Sequence, residues 1–305
     1  MIGTVVHRLQ KTVTGRVNNE SYEIVLVDDH SSDGTADSIS SLATNYSNIH
    51  AVSFSKNFGQ QSALMAGFSL AKGDIVVCLD DDGQTPPEEV FSLIDKLNDG
   101  YDVVYAAYDN KQHSAFRNFG SRVNEKMAEV LIGKPKNISL SSFFAAKRFV
   151  IEETLHYRNP FPYIGGQFLR ITSNIANVHV QHQDRIEGQS GYSFKKLLSL
   201  WLNGFTAFSV KPLRVASILG IVFSLIGFLF FIAVVIRKII SPSIAAGWTS
   251  TIALILLIGG LILFVLGVIG EYIGRIYMSI NDLPQYVIKR RTNCGDIDKG
   301  IDDDR

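Results

Sequence analysis

Two long stretches without a charged residue, Val215–Ile236 and Thr251–Gly270, limit what the last third of this chain can become. Each is about as long as the ~20 apolar residues that cross a bilayer core as a helix. Core helices of soluble domains are rarely so long or so free of charge, so the pattern predicts two membrane-spanning helices. The short link between them makes the pair antiparallel and leaves both ends of the chain on one side. Lys195, Lys196, Lys211 and Arg214 flank the first stretch, and Arg275, Lys289, Arg290 and Arg291 follow the second. The link holds only Arg237 and Lys238, a bias that favours both ends inside the cell.

Ahead of these stretches there is room for one catalytic domain of about 200 residues. The chain's 46% hydrophobic content is concentrated after Val215, and the part before it reads as an ordinary soluble domain. Lys+Arg and Asp+Glu stand at 29 each, so bulk charge gives no reason to expect nucleic acid as a partner. The two cysteines, Cys78 and Cys294, have neither disulfide-framework nor metal-site spacing, which fits a reducing compartment. Residues 1–10 lack the apolar core of a signal peptide, and the soluble part is expected in the cytoplasm.

Within that part, the apolar run 22–27 ends in Asp28-Asp29, and the run 75–79 ends in Asp80-Asp81-Asp82. Helical patterns around 35–46, near 59–71 and over 87–98 alternate with short β-rich runs at 49–54 and 101–107. That alternation predicts a parallel sheet with crossover helices. Both acidic clusters then fall at the carboxyl ends of strands, where open α/β sheets hold their ligands. A further helix is expected over 114–132, a mixed pattern over 137–181, and surface-lying helices over 192–210.

The chemistry concentrates in Leu79-Asp80-Asp81-Asp82-Gly83-Gln84-Thr85-Pro86-Pro87-Glu88. Asp80 and Asp82, one residue apart at a strand end, can both face a divalent cation that bridges two phosphates. Mg2+ and Mn2+ favour such oxygen ligands and leave positions for phosphate and water. An isolated acidic triplet would more often be a turn capping the next helix, but a preceding buried strand and the Gln-x-Pro-Pro-Glu sequel reverse that balance. The second segment, Ile24-Val25-Leu26-Val27-Asp28-Asp29-His30-Ser31-Ser32-Asp33-Gly34-Thr35, offers a carboxylate to a base or ribose and caps for the following helix. The seven histidines show no ligand spacing.

These two segments together resemble glycosyltransferase family 2. Ser55-Lys56-Asn57-Phe58-Gly59-Gln60-Gln61 is similar to the Arg-Asn-x-Gly segment of the branch that makes dolichyl-phosphate mannose and undecaprenyl-phosphate sugars, with Lys56 in place of Arg. Arg185-Ile186-Glu187-Gly188-Gln189-Ser190-Gly191-Tyr192 resembles that branch's Arg-x-x-Gly-x-Ser-x-Tyr segment, and the two terminal spans match its membrane-anchored bacterial members. The resemblance implies an α/β, nucleotide-sugar-binding Rossmann-like (GT-A type) domain over residues 1–190. It is followed by interfacial helices over 191–214, a two-helix transmembrane anchor over 215–278 and a cytoplasmic tail over 279–305.

It further implies transfer of a sugar from a nucleotide-sugar, a UDP-sugar by preference, to polyprenyl phosphate at the cytoplasmic membrane face. The anomeric centre inverts and Mg2+ or Mn2+ is required. Asp80, Asp82 and Gln84 would hold the metal, and Asp28, Asp29 and Lys56 would bind the donor. Arg117 and Ser121, four apart and so on one helix face, would approach the acceptor phosphate with Arg122, Arg185, Ser190 and Lys195. A phosphate oxygen is already a nucleophile, so positioning and electrostatics carry the work. Association between copies through the membrane-proximal part also comes with the resemblance.

Two departures accompany it. Relatives begin with a strand carrying a Pro-x-Tyr-Asn-Glu-like segment, whereas Met1-Ile2-Gly3-Thr4-Val5-Val6 reads as the helix after that strand. Many relatives also carry an Asp-Phe-Arg segment where this chain has Ser142-Phe143-Phe144. Two other readings therefore stand beside the first: a membrane scaffold of the same fold that has lost activity, and a transferase that extends a lipid-linked glycan.

Overall fold

The computed structural model of the chain describes residues 1–17, 22–81, 83, 85–108, 129, 133–180, 211–240, 247–281 and 283–295. Two compact units divide them, an α/β unit holding the described residues up to 180 and from 283 to 295, and a helical unit formed from 211 to 281.

The α/β unit opens with helix α1 (Ile2–Thr14), in which Val6, Leu9 and Val13 recur at helical spacing and face the core. Strand β1 (Ile24–Asp28), helix α2 (Thr35–Asn45) and strand β2 (Ile49–Phe54) follow. β1 and β2 pair in parallel from Ile24 opposite Ile49 to Asp28 opposite Ser53. Helix α3 (Gln60–Leu70) and strand β3 (Ile75–Cys78) come next, then a 3-10 turn at Pro87–Glu89 that runs into helix α4 (Val90–Asn98). The expected helix over 87–98 thus begins with one tighter turn, set by Pro86 and Pro87.

Strand β4 (Val103–Tyr108) precedes strand β5 (Phe144–Lys147), helix α5 (Arg148–Leu155), helix α6 (Ile164–Ile171) and strand β6 (Ile175–Val180). The last strand, β7 (Ile288–Thr292), is made by residues that follow the second apolar stretch.

The parallel-sheet expectation needs correction in two respects. The strands form two sheets, ordered β1–β2–β7 and β3–β5–β4–β6, and each is mixed. β5 runs antiparallel to both β3 and β4, and β7 runs antiparallel to β2. β5 is only four residues long, too short to declare a direction in the pattern, and β7 reads Ile-Lys-Arg-Arg-Thr, with its three basic residues exposed. Charges of that kind suit an edge strand, which they protect from pairing with other chains. Lys289, Arg290 and Arg291, counted from sequence only as flanking charge, therefore belong to the sheet, and Arg290 reaches Asp37 on α2 at 2.8 Å.

Among the described residues, β1 pairs only with β2, and β3 pairs only with β5. Two helices tie the sheets together across these edges. On one side α1 places Val6 among Ile24, Leu26, Ile39 and Ile49, and Val13 among Leu93, Leu97, Val104 and Ala106. On the other, α3 sets Met65 and Phe68 against Val76, Phe144 and Phe168, and Gly67 close to Val27.

The helical unit is a hairpin of α7 (Lys211–Ile240) and α8 (Trp248–Ile280), about 45 and 50 Å long at 1.5 Å per residue. Both uncharged stretches lie inside these helices. Its large apolar side chains face outward: Leu225, Phe228, Leu229, Leu263 and Phe264 are all more than half exposed. Among the described residues one stretch, Ile258–Ile280, is long and apolar enough to cross a bilayer, and none of it is buried.

Candidate functional site

β1 ends on Asp28, and Asp80 follows the last residue of β3 by two positions. Asp28, the last residue of β1, is buried, and its Oδ1 accepts the Ser31 amide at 3.1 Å, which shapes the turn that follows. Asp33 does the same one turn later, taking the Thr35 amide at 3.1 Å and its hydroxyl at 2.7 Å. These bonds hold the Asp33 carboxyl below the usual carboxylate range. The cap position falls on Gly34 rather than on Ser31, Ser32 or Asp33, and Asp33, one residue earlier, takes the first helical amide.

Asp29 bridges two segments. Its Oδ1 accepts the Phe58 amide at 2.7 Å and its Oδ2 the Gly59 amide at 2.8 Å, while Asn57 donates to its backbone carbonyl at 3.2 Å. A carboxylate at the start of α3 satisfies amides that no helical carbonyl reaches, and the helix dipole favours its charge. Gly59 has φ +93°, a conformation that side-chain-bearing residues rarely adopt. Phe58 meets Phe54 edge-on at 5.7 Å, and Lys56, exposed, lies over the Phe58 ring at 5.0 Å.

The next residue carries the chain of contacts to β3. Gln60 Nε2 donates to Asp80 Oδ1 at 2.8 Å, and the Ser142 hydroxyl donates to Asp80 Oδ2. Gln61 Oε1 accepts the Ile164 amide at 2.8 Å, which fixes the first turn of α6. Residues 161–163 lead into that helix. One row deeper in β3, burial with the Asp80 charge beside it pushes the Cys78 thiol up to about 12. Beyond β3, Glu88 takes a two-point bond from Arg8 of α1, at 2.9 and 2.8 Å, which holds its carboxyl below the usual range.

Of the residues singled out from sequence, the structure brings Asp28, Asp29 and Asp80 to one end of the strands. Asp82, Gln84, Arg117, Ser121, Arg122, Arg185, Ser190 and Lys195 lie outside the described residues. Gln60, Ser142 and Arg8 were not anticipated in these positions. Gln60 sits inside a segment quoted for its resemblance, but nothing in the pattern shows that its amide reaches Asp80. Among the described residues no three His, Cys, Asp or Glu side chains surround a common point. A cation that bridges phosphates needs only one or two carboxylates, since phosphate and water fill its other positions. Half-buried Asp80, with Gln60 and Ser142 each donating to one of its oxygens, suits that kind of ion.

The family model described as "Glycosyl transferase family 2" matches residues 2–155, and the model "GtrB C-terminal hairpin" matches residues 211–276. The undecaprenyl-phosphate 4-deoxy-4-formamido-L-arabinose transferase of Yersinia enterocolitica serotype O:8 is 38% identical over 277 residues, covering 89% of this chain and 84% of that one. The uncharacterized glycosyltransferase YkcC of Bacillus subtilis is 34% identical over 274 residues, with the same coverage of each chain. Among solved structures, a glucosyl-3-phosphoglycerate synthase from Mycobacterium tuberculosis aligns with a TM-score of 0.47 at 21% identity, over 65% of this chain and 70% of that one.

Proposed function

The chain belongs to glycosyl transferase family 2, and from that premise we propose that it moves a sugar from a nucleotide-sugar to undecaprenyl phosphate at the cytoplasmic face of a membrane. The observation that carries this reading is the conjunction of two matched models on one chain, a family 2 domain and a C-terminal hairpin. The apolar exterior of α7 and α8 supports the hairpin as the anchor, because a bilayer core accepts an apolar surface of this length. Relatives named as undecaprenyl-phosphate sugar transferases support the acceptor.

The acidic strand ends support the donor side. Asp80, with Asp82 two residues on, would hold Mg2+ or Mn2+, and Gln84 would assist. The metal, when bound, neutralises charge building on the departing nucleoside diphosphate. Asp28, which fixes the turn after β1, and Asp29, which fixes the loop ahead of α3, would bind the donor. Lys56 extends from the same loop. Arg117, Ser121, Arg122, Arg185, Ser190 and Lys195 are the proposed grip on the acceptor phosphate, Arg being suited to two-point contact with phosphate oxygens. Direct attack by that phosphate oxygen on the anomeric carbon inverts the centre, and no general base is needed at Ser142. A UDP-sugar is the preferred donor.

The test is transfer of radiolabelled sugar from a panel of UDP- and GDP-sugars to undecaprenyl phosphate, using membranes that carry the chain. Lipid-extractable label that requires metal, and that falls about 100-fold or more in Asp80→Ala, is the expected result. No label from any donor, with the protein folded and inserted, would move the reading to a scaffold of this fold.

A further inference from the structure

We propose that Ser142 and Gln60 are positioning residues for Asp80, a two-sided clamp that sets the plane in which its carboxylate meets a divalent cation. The inference deepens the metal-dependent reading above and rests on it.

The register explains why these residues meet. β3 and β5 pair antiparallel from Ile75 opposite Lys147 to Cys78 opposite Phe144. Continued by two residues along each strand, that register sets Asp80 against Ser142, just past the last backbone pair. The backbone ladder stops there, and the hydroxyl–carboxylate bond takes over its role. The second donor comes from a different element, the first residue of α3, and reaches the other oxygen. The anchor of that element is independent of β3: Asp29 holds the amides of Phe58 and Gly59, immediately ahead of Gln60.

An aspartate at a strand end has three staggered χ1 wells and a broad χ2. A donor on each oxygen, from two elements, selects one orientation. Both donors are neutral, so the clamp orients the charge without cancelling it. Outer partners of this kind set the direction of a metal ligand, and their loss typically costs 10- to 100-fold in metal affinity.

The experiment is a Mn2+ titration of the detergent-solubilised full chain with UDP present, reading free Mn2+ by electron paramagnetic resonance. Thermal unfolding without metal is followed in parallel. Ser142→Ala and Gln60→Leu should each weaken Mn2+ binding about tenfold or more while the metal-free unfolding temperature stays with the wild type. Ser142→Thr, which keeps the hydroxyl, should restore wild-type affinity. The double variant should lose less than the product of the single losses, because both act on one carboxylate. Wild-type affinity in both single variants, with Mn2+ bound by the wild type, overturns the clamp alone. A wild-type chain that holds no Mn2+ overturns the metal reading of Asp80 and the clamp with it.

Discussion

The two sheets of the α/β unit hold the two halves of the site by different means. β3, β5, β4 and β6 lie within residues 75–180, and their core is continuous through Phe68, Tyr105, Phe144 and Phe168, whose rings stand 5.3–6.3 Å apart in neighbouring pairs. β1 and β2 lie close together in sequence, but the third strand of their sheet comes from the far end of the chain. β7 is joined there by a strap of contacts on either side. Tyr286 stacks on Phe54 at 5.3 Å, and Asn293 reaches the carbonyls of Tyr46, Ser47 and Ile49. The strands beside Asp80 therefore find all their sheet partners within residues 75–180, whereas the sheet beside Asp29 takes its third strand from residues 288–292.

The harshest test of that contrast is to end the chain after Asn281. Hydrogen exchange should then show β1 and β2 amides losing most of their protection, while β4 and β5 amides keep theirs; equal loss in both sheets would erase the distinction. Next in size are core truncations on the two sides. Phe54→Ala, which removes the ring under Tyr286, should cost about 3–5 kcal/mol, and Leu93→Ala, fully buried behind β4, about 2–5 kcal/mol. Combined with Asn293→Ala, Phe54→Ala should depart from additivity and Leu93→Ala should not.

Asn293 itself gives a smaller effect. Its amide serves three carbonyls and its φ is +56°, so Asn293→Ala should cost about 1–3 kcal/mol through partners left unpaired. Asn293→Gly should cost less, because glycine accepts the left-handed backbone. The two thiols report the sheets separately, Cys294 behind β2 and Cys78 in β3. Both should be slow towards a disulfide reagent at pH 8 in the native chain, and Asn293→Ala should speed Cys294 ahead of Cys78.

The mildest effect concerns acid. Burial acts to raise the Asp102 carboxyl, but bonds from Lys147 and Thr172 outweigh it and hold the group below its ordinary value. A depressed carboxylate stabilises the fold above its unfolded pKa of about 3.9, and the contribution fades as pH falls through the folded value. Asp102→Asn should therefore unfold at a lower temperature than wild type at neutral pH, and the two curves should converge in acid.

How much of this was legible in the sequence varies by element. β1, β2 and β3 announce themselves because each is an apolar run closed by a polar turn, and Asp28, Asp29 and Asp80 follow as strand ends. α7 and α8 are legible from length and lack of charge alone. β7 is hidden because an exposed edge strand bears Lys and Arg where the pattern asks for alternation. The clamp on Asp80 is hidden for another reason: Ser142 lies 62 residues away, and only strand register brings it there. Local patterns carry no information about register between distant strands. Arg8 on α1 and Glu88 in the turn after β3, 80 positions apart, are joined by tertiary packing that no local pattern shows either.

The place of β7 in the chain also sets an order of manufacture. A ribosome adding about 5–20 residues per second releases β1 and β2 long before the strand that completes their sheet. Everything from 211 to 281 must be made first, so the hairpin is in hand before β7 can pair with β2. A nascent chain that stalls in the hairpin carries an unfinished sheet. In such a chain the side of β2 that β7 would pair has no strand on it, and that pairing forms only on molecules whose helical hairpin has already been synthesised.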